Sequence, residues 1–515
     1  MKESTAHNPA GLVGRFFAPI TLRQWAVPAL IGISFIPFVA AYYLIGESLR
    51  LDEAQSLWQT SRSIGGVLAI VAGDVHVPLY HLLLYVWRLF IGDGIETARL
   101  LSLAFFLLSL PAIYALGNRA YAAPVGLFAA LLLAISPFMN WYANEIRMYT
   151  LFVFITIVNQ YLFLRLFEKE KPSDTIWAFY ALSAVFGMFT HYFFFLNLAA
   201  QTVFYALRRT LFPQGAFRRF ATVAGLVIAA LVPWVWYVLF RGVVGFQEPV
   251  LSPPSSVNLF STFSQFLFGF QNDLLNTIFL SLWPLAVILG LIALRRRERF
   301  LPQTEYFALT ILISFGVAFF ISYFIAPVFV GRYLIFTVPS LYLLVISLFS
   351  SYARNVRLFA QWSLVALMLV ALGVQAIHPN TSVKEWYESA ATYLATRATA
   401  QDIILVSAPF TVYPIQYYYR GPAPIATLPS WDQYAYGPIP AFNEATLPEE
   451  VERATSSYQN VYVLLSYDQG YEETIRRYFD SNYQRLAIQN FSNDLTLYVY
   501  RLRYNTERSA IRAEL

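Results

Sequence analysis

Long stretches almost free of charged side chains recur along most of this chain, and a backbone that must lie in lipid has few shapes open to it. The runs fall at 24–46, 97–118, 120–143, 148–164, 175–207, 220–240, 274–294, 306–331, 333–352 and 358–377. About 20 apolar residues cross a bilayer as a helix, which satisfies every backbone polar group within the segment. The run 175–207 is long enough for two crossings with a turn near Thr190 and His191. The expectation is a polytopic α-helical membrane protein with about 11 transmembrane helices. Composition agrees, because 58% hydrophobic, 18% aromatic and 13% charged residues exceed what a soluble core of this length can bury.

Basic residues orient such a bundle, since cytoplasmic loops carry an excess of Lys and Arg. Lys2, Arg15 and Arg23 put the N-terminus in the cytoplasm. Every second loop after it is then basic: Arg119; Lys169 and Lys171; Arg208, Arg209, Arg218 and Arg219; Arg295, Arg296, Arg297 and Arg299; Arg354 and Arg357. The net charge of +5 is therefore an orientation signal and implies no nucleic-acid partner. With no cysteine, disulfide and thiol chemistry are excluded. The first apolar run has no small-residue cleavage site, so it is expected to be the first span of a multi-pass protein of the plasma (inner) membrane.

Two outer loops interrupt the pattern. The first, 47–96, includes Pro78–Ile91, which is broken by Arg88 and too short for a span; it is expected to be an interfacial helix. Counting it as a crossing would invert every basic loop that follows. The second, 241–273, holds Pro249, Pro253 and Pro254 before the aromatic run NLFSTFSQFLFGF, and fits an amphipathic segment along the interface. Residues 1–377 thus form the membrane domain.

From 378 to 515 the charge content becomes ordinary and no run could cross a membrane. An odd span count makes this domain extracytoplasmic. SVKEWYESAATYLATRA has helical spacing, with Val383, Trp386, Tyr387, Ala390 and Leu394 on one side. DIILVS, NVYVLLSY and TLYVYRLR fit strands and GYEETIRRYF a helix, which together predict a small α/β domain.

On the outer face the topology gathers ionisable residues near span ends. Asp52 and Glu53 in LRLDEAQSLW are joined by Asp74 and His76, by Glu145, Arg147 and Tyr149, by His191 and Tyr192, and by Arg332. Such groups are costly at membrane depth and usually face a cavity or a partner. Their convergence on one side argues for a shared site.

The segments DE at 52–53, DVHVPLY at 74–80, SPFMNWYANEIRMY at 136–149, THY at 190–192 and GRYL at 331–334 resemble the C superfamily of bacterial membrane glycosyltransferases (GT-C). The likeness is to the protein mannosyltransferase and aminoarabinose transferase-like group, in the order of elements from about 24 to 350. It implies transfer of a sugar from a polyprenyl-phosphate donor to an extracytoplasmic acceptor in the cell envelope, usually with inversion. Val77 departs from the pattern, where relatives commonly show a second proline.

By this resemblance Asp52 is the base that accepts the proton of the acceptor hydroxyl. A lipid phosphate leaves as a stable anion, so one base suffices, unlike the carboxylate pair of a glycosidase. Glu53 would place the acceptor or tune Asp52 by like-charge repulsion; the structural alternative is that both acids cap an interfacial helix. Arg147 and Arg332 offer forked donors to the carrier phosphate, against an ion pair of Arg147 with Glu145, or snorkelling. Asp74 and His76 are expected to order the loop by hydrogen bonds. Three loosely spaced donors with Asp52 are a weak metal signal, so no cofactor is required and a divalent ion is the weaker alternative. Glu145, Tyr149, His191 and Tyr192 complete the candidate set as substrate-binding or site-ordering residues, and Trp141 and Tyr142 fit sugar stacking or an interfacial belt.

Two other classes fit a chain of many spans less well. A transporter or lipid flippase should line a midplane path with its ionisable residues, whereas here they gather at the outer ends. An anchoring protein with a partner-binding outer domain leaves the clustered acids and arginines without a purpose.

Overall fold

The computed structural model describes residues 22–74, 76–167, 172–240, 253–296, 301–377, 385–434 and 439–502. Lys2, Arg15, Lys169, Lys171, Arg297, Arg299 and Val383 lie outside the described residues, as does Pro249.

Each apolar run folds as helix. In chain order these are α1 (Leu22–Leu44), then three helices of the first outer loop, α2 (Leu51–Gln59), α3 (Ile64–Ala72) and α4 (Leu79–Ile91). There follow α5 (Ile95–Ala120), α6 (Ala123–Ile135), α7 (Pro137–Ala143), α8 (Tyr149–Arg165), α9 (Asp174–Thr190), α10 (Phe194–Leu207) and α11 (Ala216–Phe240). The bundle closes with α12 (Ser256–Phe268), α13 (Asp273–Ser281), α14 (Trp283–Arg295), α15 (Pro302–Phe324), α16 (Val338–Phe349) and α17 (Arg354–Ile377). Among the described residues seven helices or helix pairs are long and apolar enough to cross a membrane, and the bent pair α6–α7 makes an eighth. The remaining expected spans are shorter: α10, for example, has 14 residues, a rise of about 21 Å against a hydrocarbon core of about 30 Å.

Small residues set how closely the helices pack. A Cβ on Gly117 of α5 would stand 2.8 Å from the Gly126 Cα of α6, so the two backbones meet without side chains between them. At Ser136–Pro137 the chain bends by 63° between α6 and α7. Ser136 accepts the Met139 N–H at 3.2 Å and Pro137 takes the first helical position, where its missing N–H costs nothing. The bend drives residues 137–149 inward, all of them buried. The second outer loop contributes α12, whose Phe263 stacks on Phe315 at 4.4 Å and whose Phe266 meets Phe138 at 5.0 Å. One face of this amphipathic helix therefore seats against the bundle.

The C-terminal domain is a five-stranded mixed sheet in the order β2-β1-β3-β5-β4, built from β1 (Asp402–Ser407), β2 (Ile425–Thr427), β3 (Asn460–Ser466), β4 (Gln484–Ser492) and β5 (Leu495–Arg501). β1 is parallel to β2 and β3, while β5 is antiparallel to both β3 and β4. Helices α18 (Tyr387–Arg397), α19 (Val412–Tyr418), α20 (Leu447–Thr455) and α21 (Glu472–Asn482) accompany it. The strands expected at DIILVS, NVYVLLSY and TLYVYRLR are present. β2 and β4 were not expected: β2 has three residues, and β4 is a largely exposed edge without a clear apolar alternation. Trp386, expected on the buried side of α18, precedes that helix and is 46% exposed.

The sheet domain rests on the first outer loop. Tyr418 accepts the Leu49 N–H at 2.9 Å, and Tyr413 packs on Trp58 of α2 at 5.0 Å. The C-terminal domain thereby overlies the helix that carries Asp52 and Glu53.

Candidate active site

Asp52 and Glu53 are neighbours in sequence, but successive side chains on a helix point about 100° apart. Glu53, at the third helical position, accepts the Arg50 N–H at 3.0 Å and so caps α2. Its oxygens also take Arg99 Nε at 2.8 Å, Arg99 Nη2 at 2.7 Å and the Ile146 N–H at 3.1 Å. Arg99 in turn donates to the Ile45 carbonyl at 2.7 Å and the Glu47 carbonyl at 2.6 Å, and both ionic side chains are fully buried. A carboxylate so enclosed has no face left for an acceptor. The expectation that Glu53 acts in catalysis is corrected: it clasps the first outer loop to α5 and to the segment before α8.

Asp52 faces the other way and is 25% exposed on its side chain, beside Arg332 at 29%. Its Oδ2 lies 3.2 Å from Arg332 Nη1. Arg147 donates Nη1 to the Asp52 carbonyl at 3.3 Å and to Ser56 Oγ at 3.2 Å, and Nη2 to His76 Nε2 at 2.7 Å. Since a guanidinium cannot accept, His76 is neutral at Nε2. Its 3.9 Å approach to Asp74 is then not an ion pair. Burial and the Arg147 charge agree, both holding the His76 imidazole well below its ordinary pKa.

The ion pair of Arg147 with Glu145, the alternative to phosphate binding, is not made. Glu145 binds Arg50 Nη1 instead, at 2.8 Å. Asp74 accepts from Gln55 at 3.0 Å and from Gln59 at 2.7 Å, which ties its loop to α2. Tyr149 opens α8 with a buried hydroxyl that has no partner among the described residues. The same holds for the Nε atoms of Arg50, Arg147 and Arg332. Four buried donors on the residues around Asp52 are thus without a partner among the described residues.

Burial pushes the Asp52 carboxyl up, but the guanidinium groups of Arg147, Arg332 and Arg50 outweigh it and hold the group well below the usual carboxylate range. Asp52 is therefore held as an anion. His191 sits at the break between α9 and α10, its ring stacked on Phe152 at 4.8 Å with Nδ1 accepting the Phe193 N–H at 3.1 Å. Tyr192 is 39% exposed and accepts from Trp234 Nε1 at 3.4 Å. His191 lies within electrostatic range of Arg147 and Arg332, whereas Tyr192 meets α11. Among the described residues no three His, Cys, Asp or Glu side chains cluster as a metal site.

Next to this charged rim lies an apolar cavity of about 630 Å³ between α3, α4, α9 and α11, lined by Leu68, Pro78, Leu82, Phe186, Phe189 and Trp234 among others. Pro78 and Trp234 link it to the rim, being close in sequence or by hydrogen bond to His76 and Tyr192.

Sequence reasoning missed Arg50 and Arg99. Arg99 was visible as the lone charge within an apolar run, where an ionisable residue implies a buried partner.

Residues 75–237 match the family model for dolichyl-phosphate-mannose-protein mannosyltransferase. The matched segment runs from the first interhelical loop to α11. Among solved structures, apo ArnT from Cupriavidus metallidurans is similar over 93% of this chain and 98% of its own, with a TM-score of 0.59 and 15% identity. The same protein bound to undecaprenyl phosphate gives 0.55 over the same shares, again at 15% identity. The Archaeoglobus fulgidus oligosaccharyltransferase tethered to an acceptor peptide with the NVT sequon gives 0.51 at 12% identity, over 86% of this chain and 69% of that one. At these identities the likeness is one of fold. No protein of curated function matches the chain.

Proposed function

We propose that this protein transfers a sugar from a polyprenyl-phosphate donor to an extracytoplasmic acceptor, with inversion at the anomeric carbon. The observation that carries the reading is the partly exposed Asp52 carboxylate paired with Arg332 and flanked by Arg147, whose guanidiniums each keep an unpartnered Nε. A donor phosphate can take over these guanidiniums, for which bidentate oxyanions are the natural partners. Asp52, relieved of part of that positive field, then regains basicity where it is needed.

In the step, the acceptor oxygen forms a bond to the anomeric carbon as the bond from that carbon to the phosphate oxygen breaks. The acceptor proton passes to Asp52, and the bonding pair leaves on the phosphate. The products are the glycosylated acceptor and the lipid phosphate. Arg147 and Arg332 stabilise the charge that develops on the leaving oxygen. His76 fixes the Arg147 fork, while Asp74 and Glu145 hold α2 and Arg50 in register. The apolar cavity beside Pro78 fits isoprene units of the carrier.

The reading includes about 11 spans, a cytoplasmic N-terminus, an outer α/β domain and chemistry that needs no metal. A transporter gains no support, since the charged groups form a rim and not a path. Purified protein incubated with a panel of undecaprenyl-phosphate sugars and cell-envelope fractions should release undecaprenyl phosphate and label an acceptor, with or without EDTA. Failure to cleave any donor sinks the proposal, and loss of turnover on chelation removes its metal-free form.

A further inference from the structure

Arg147 and Arg332 come from separate segments of the chain, and their like charges repel each other beside Asp52. Both segments pack on the same neighbour, α12. A Cβ on Gly331, the residue before Arg332, would stand 3.2 Å from Gln265 Oε1 and 3.5 Å from Thr262 Cγ2 of that helix, and 4.0 Å from the Phe138 ring of α7. Phe138 packs in turn on Phe266 at 5.0 Å, on Phe270 at 5.5 Å and on Tyr142 at 4.9 Å. Tyr142 meets Tyr149 at 4.8 Å, and Arg147 lies in the turn between those two residues. The segments that carry the two arginines and α12 therefore form one packed block.

Two buried side chains pin α12 to the break between α6 and α7. Gln375 of α17, 1% exposed, accepts the Phe270 N–H at 2.9 Å and donates to the Pro137 carbonyl at 2.8 Å. The two backbones approach so closely there that a Cβ on Gly269, which ends α12 with φ 70°, would stand 2.6 Å from Pro137 Cβ. Tyr342 of α16, fully buried, donates to the Phe266 carbonyl at 2.6 Å and meets Ser136 Oγ at 2.8 Å. Each bridge thus joins one group of the α12 segment to one group of the break. Neither side chain is hydrogen-bonded to Asp52, Arg147 or Arg332.

We infer that α12 braces the two arginines, with Gln375 and Tyr342 as positioning residues that fix it against the break and so set the spacing of Arg147 and Arg332 for a lipid phosphate. Two forked donors grip one oxyanion only while both keep their places, so a small shift of either segment weakens the hold. The inference rests on the carrier reading of the arginines and adds to it the residues that keep them in register.

A double-mutant cycle on the full chain in detergent tests it, with undecaprenyl phosphate as the probe and titration calorimetry as the readout. Affinity should fall roughly tenfold in Gln375→Leu and about threefold in Tyr342→Phe, although neither residue meets the ligand. In an Arg332→Ala background the same substitutions should cost much less, because the grip they align is already lost. A purely structural role predicts the opposite, losses that multiply. Thermal midpoints report folding, and Tyr342→Phe, which keeps the ring, decides alone if Gln375→Leu does not fold. Unchanged affinity in the folded variants, or full-sized losses in the Arg332→Ala background, would overturn the brace. A wild-type protein that binds no undecaprenyl phosphate would remove the carrier reading itself, whereas wild-type binding that the variants retain would remove the brace alone.

Discussion

The membrane domain holds two sets of buried polar side chains, and they differ in how fully their hydrogen-bonding capacity is used. Inside the bundle, Asn159 and Gln160 of α8, Tyr180 and Ser183 of α9, Asn197 and Gln201 of α10, Tyr306 of α15 and Ser340 of α16 form one network. Asn159 donates to Ser183 at 2.9 Å and accepts from Asn197 at 2.9 Å and Gln201 at 2.7 Å. Gln160 donates to Asn197 at 3.2 Å and Ser340 at 3.0 Å, and Tyr180 donates to Gln201 at 2.6 Å. None of these side chains leaves a buried polar atom unpaired among the described residues. At the outer rim the reverse holds, with the Nε atoms of Arg50, Arg147 and Arg332 and the Tyr149 hydroxyl unused. A closed neutral network fixes how helices pack, while an open charged one stores binding capacity for a ligand. Asp52 and Glu53 repeat the contrast within one helical turn.

The sharpest way to break this contrast is to neutralise the open side. Asp52→Asn should lower kcat by roughly 10²- to 10⁴-fold, the range of a positioned general base, with thermal stability near that of the wild type. Turnover that survives this change would remove Asp52 as base. The closed side should respond oppositely. Arg99→Leu strands the Glu53 carboxylate in a fully buried site, so unfolding should become easier by about 3–5 kcal/mol in thermal or denaturant melts. An Arg99 variant of normal stability but lost activity would show that the Glu53 clasp belongs to the reaction after all.

Arg332→Ala separates ligand binding from folding. The Arg332 side chain is 29% exposed and bonded to a carboxylate that water also reaches, so its loss should leave the melting midpoint almost unchanged. Affinity for undecaprenyl phosphate should fall about 10- to 100-fold, equivalent to roughly 1.5–3 kcal/mol for hydrogen bonds to a charged group. Titration calorimetry in detergent reads this directly. Unchanged affinity would take the carrier phosphate away from this arginine.

The helical runs were legible because lipid imposes one solution on an apolar stretch, and the break at His191 followed from the length of 175–207. Whether α8 and α10 cross the bilayer was not, since their lengths fall near or below the core thickness. The residues that meet at the rim, Asp52, His76, Arg147 and Arg332, could be gathered from sequence because span ends on one face must lie near one another. Their pairing could not. Glu145 chooses Arg50 over Arg147, and Glu53 chooses Arg99, through contacts between segments 46 to 95 residues apart. Local spacing carries no information on such choices. The unexpected strand β4 failed for another reason: as an edge exposed to water it needs no apolar alternation, so its pairing with β5 is set by the backbone alone.

The smallest expected effect tests the neutral network itself. Asn159→Leu removes the donor to Ser183 and the acceptor shared by Asn197 and Gln201, while Gln201 keeps its 3.1 Å bond to Tyr306. Hydrogen bonds between helices in lipid average well under 2 kcal/mol, because the separated helices also find partners. The loss should therefore be about 1–2 kcal/mol, seen as a modest drop in the melting midpoint. Undecaprenyl phosphate affinity should not move, because none of the network side chains bonds to a rim residue. A large fall in carrier affinity with little loss of stability would mean that helix packing at Asn159 sets the geometry of the arginines, and the two sets of polar groups would then have to be treated as one.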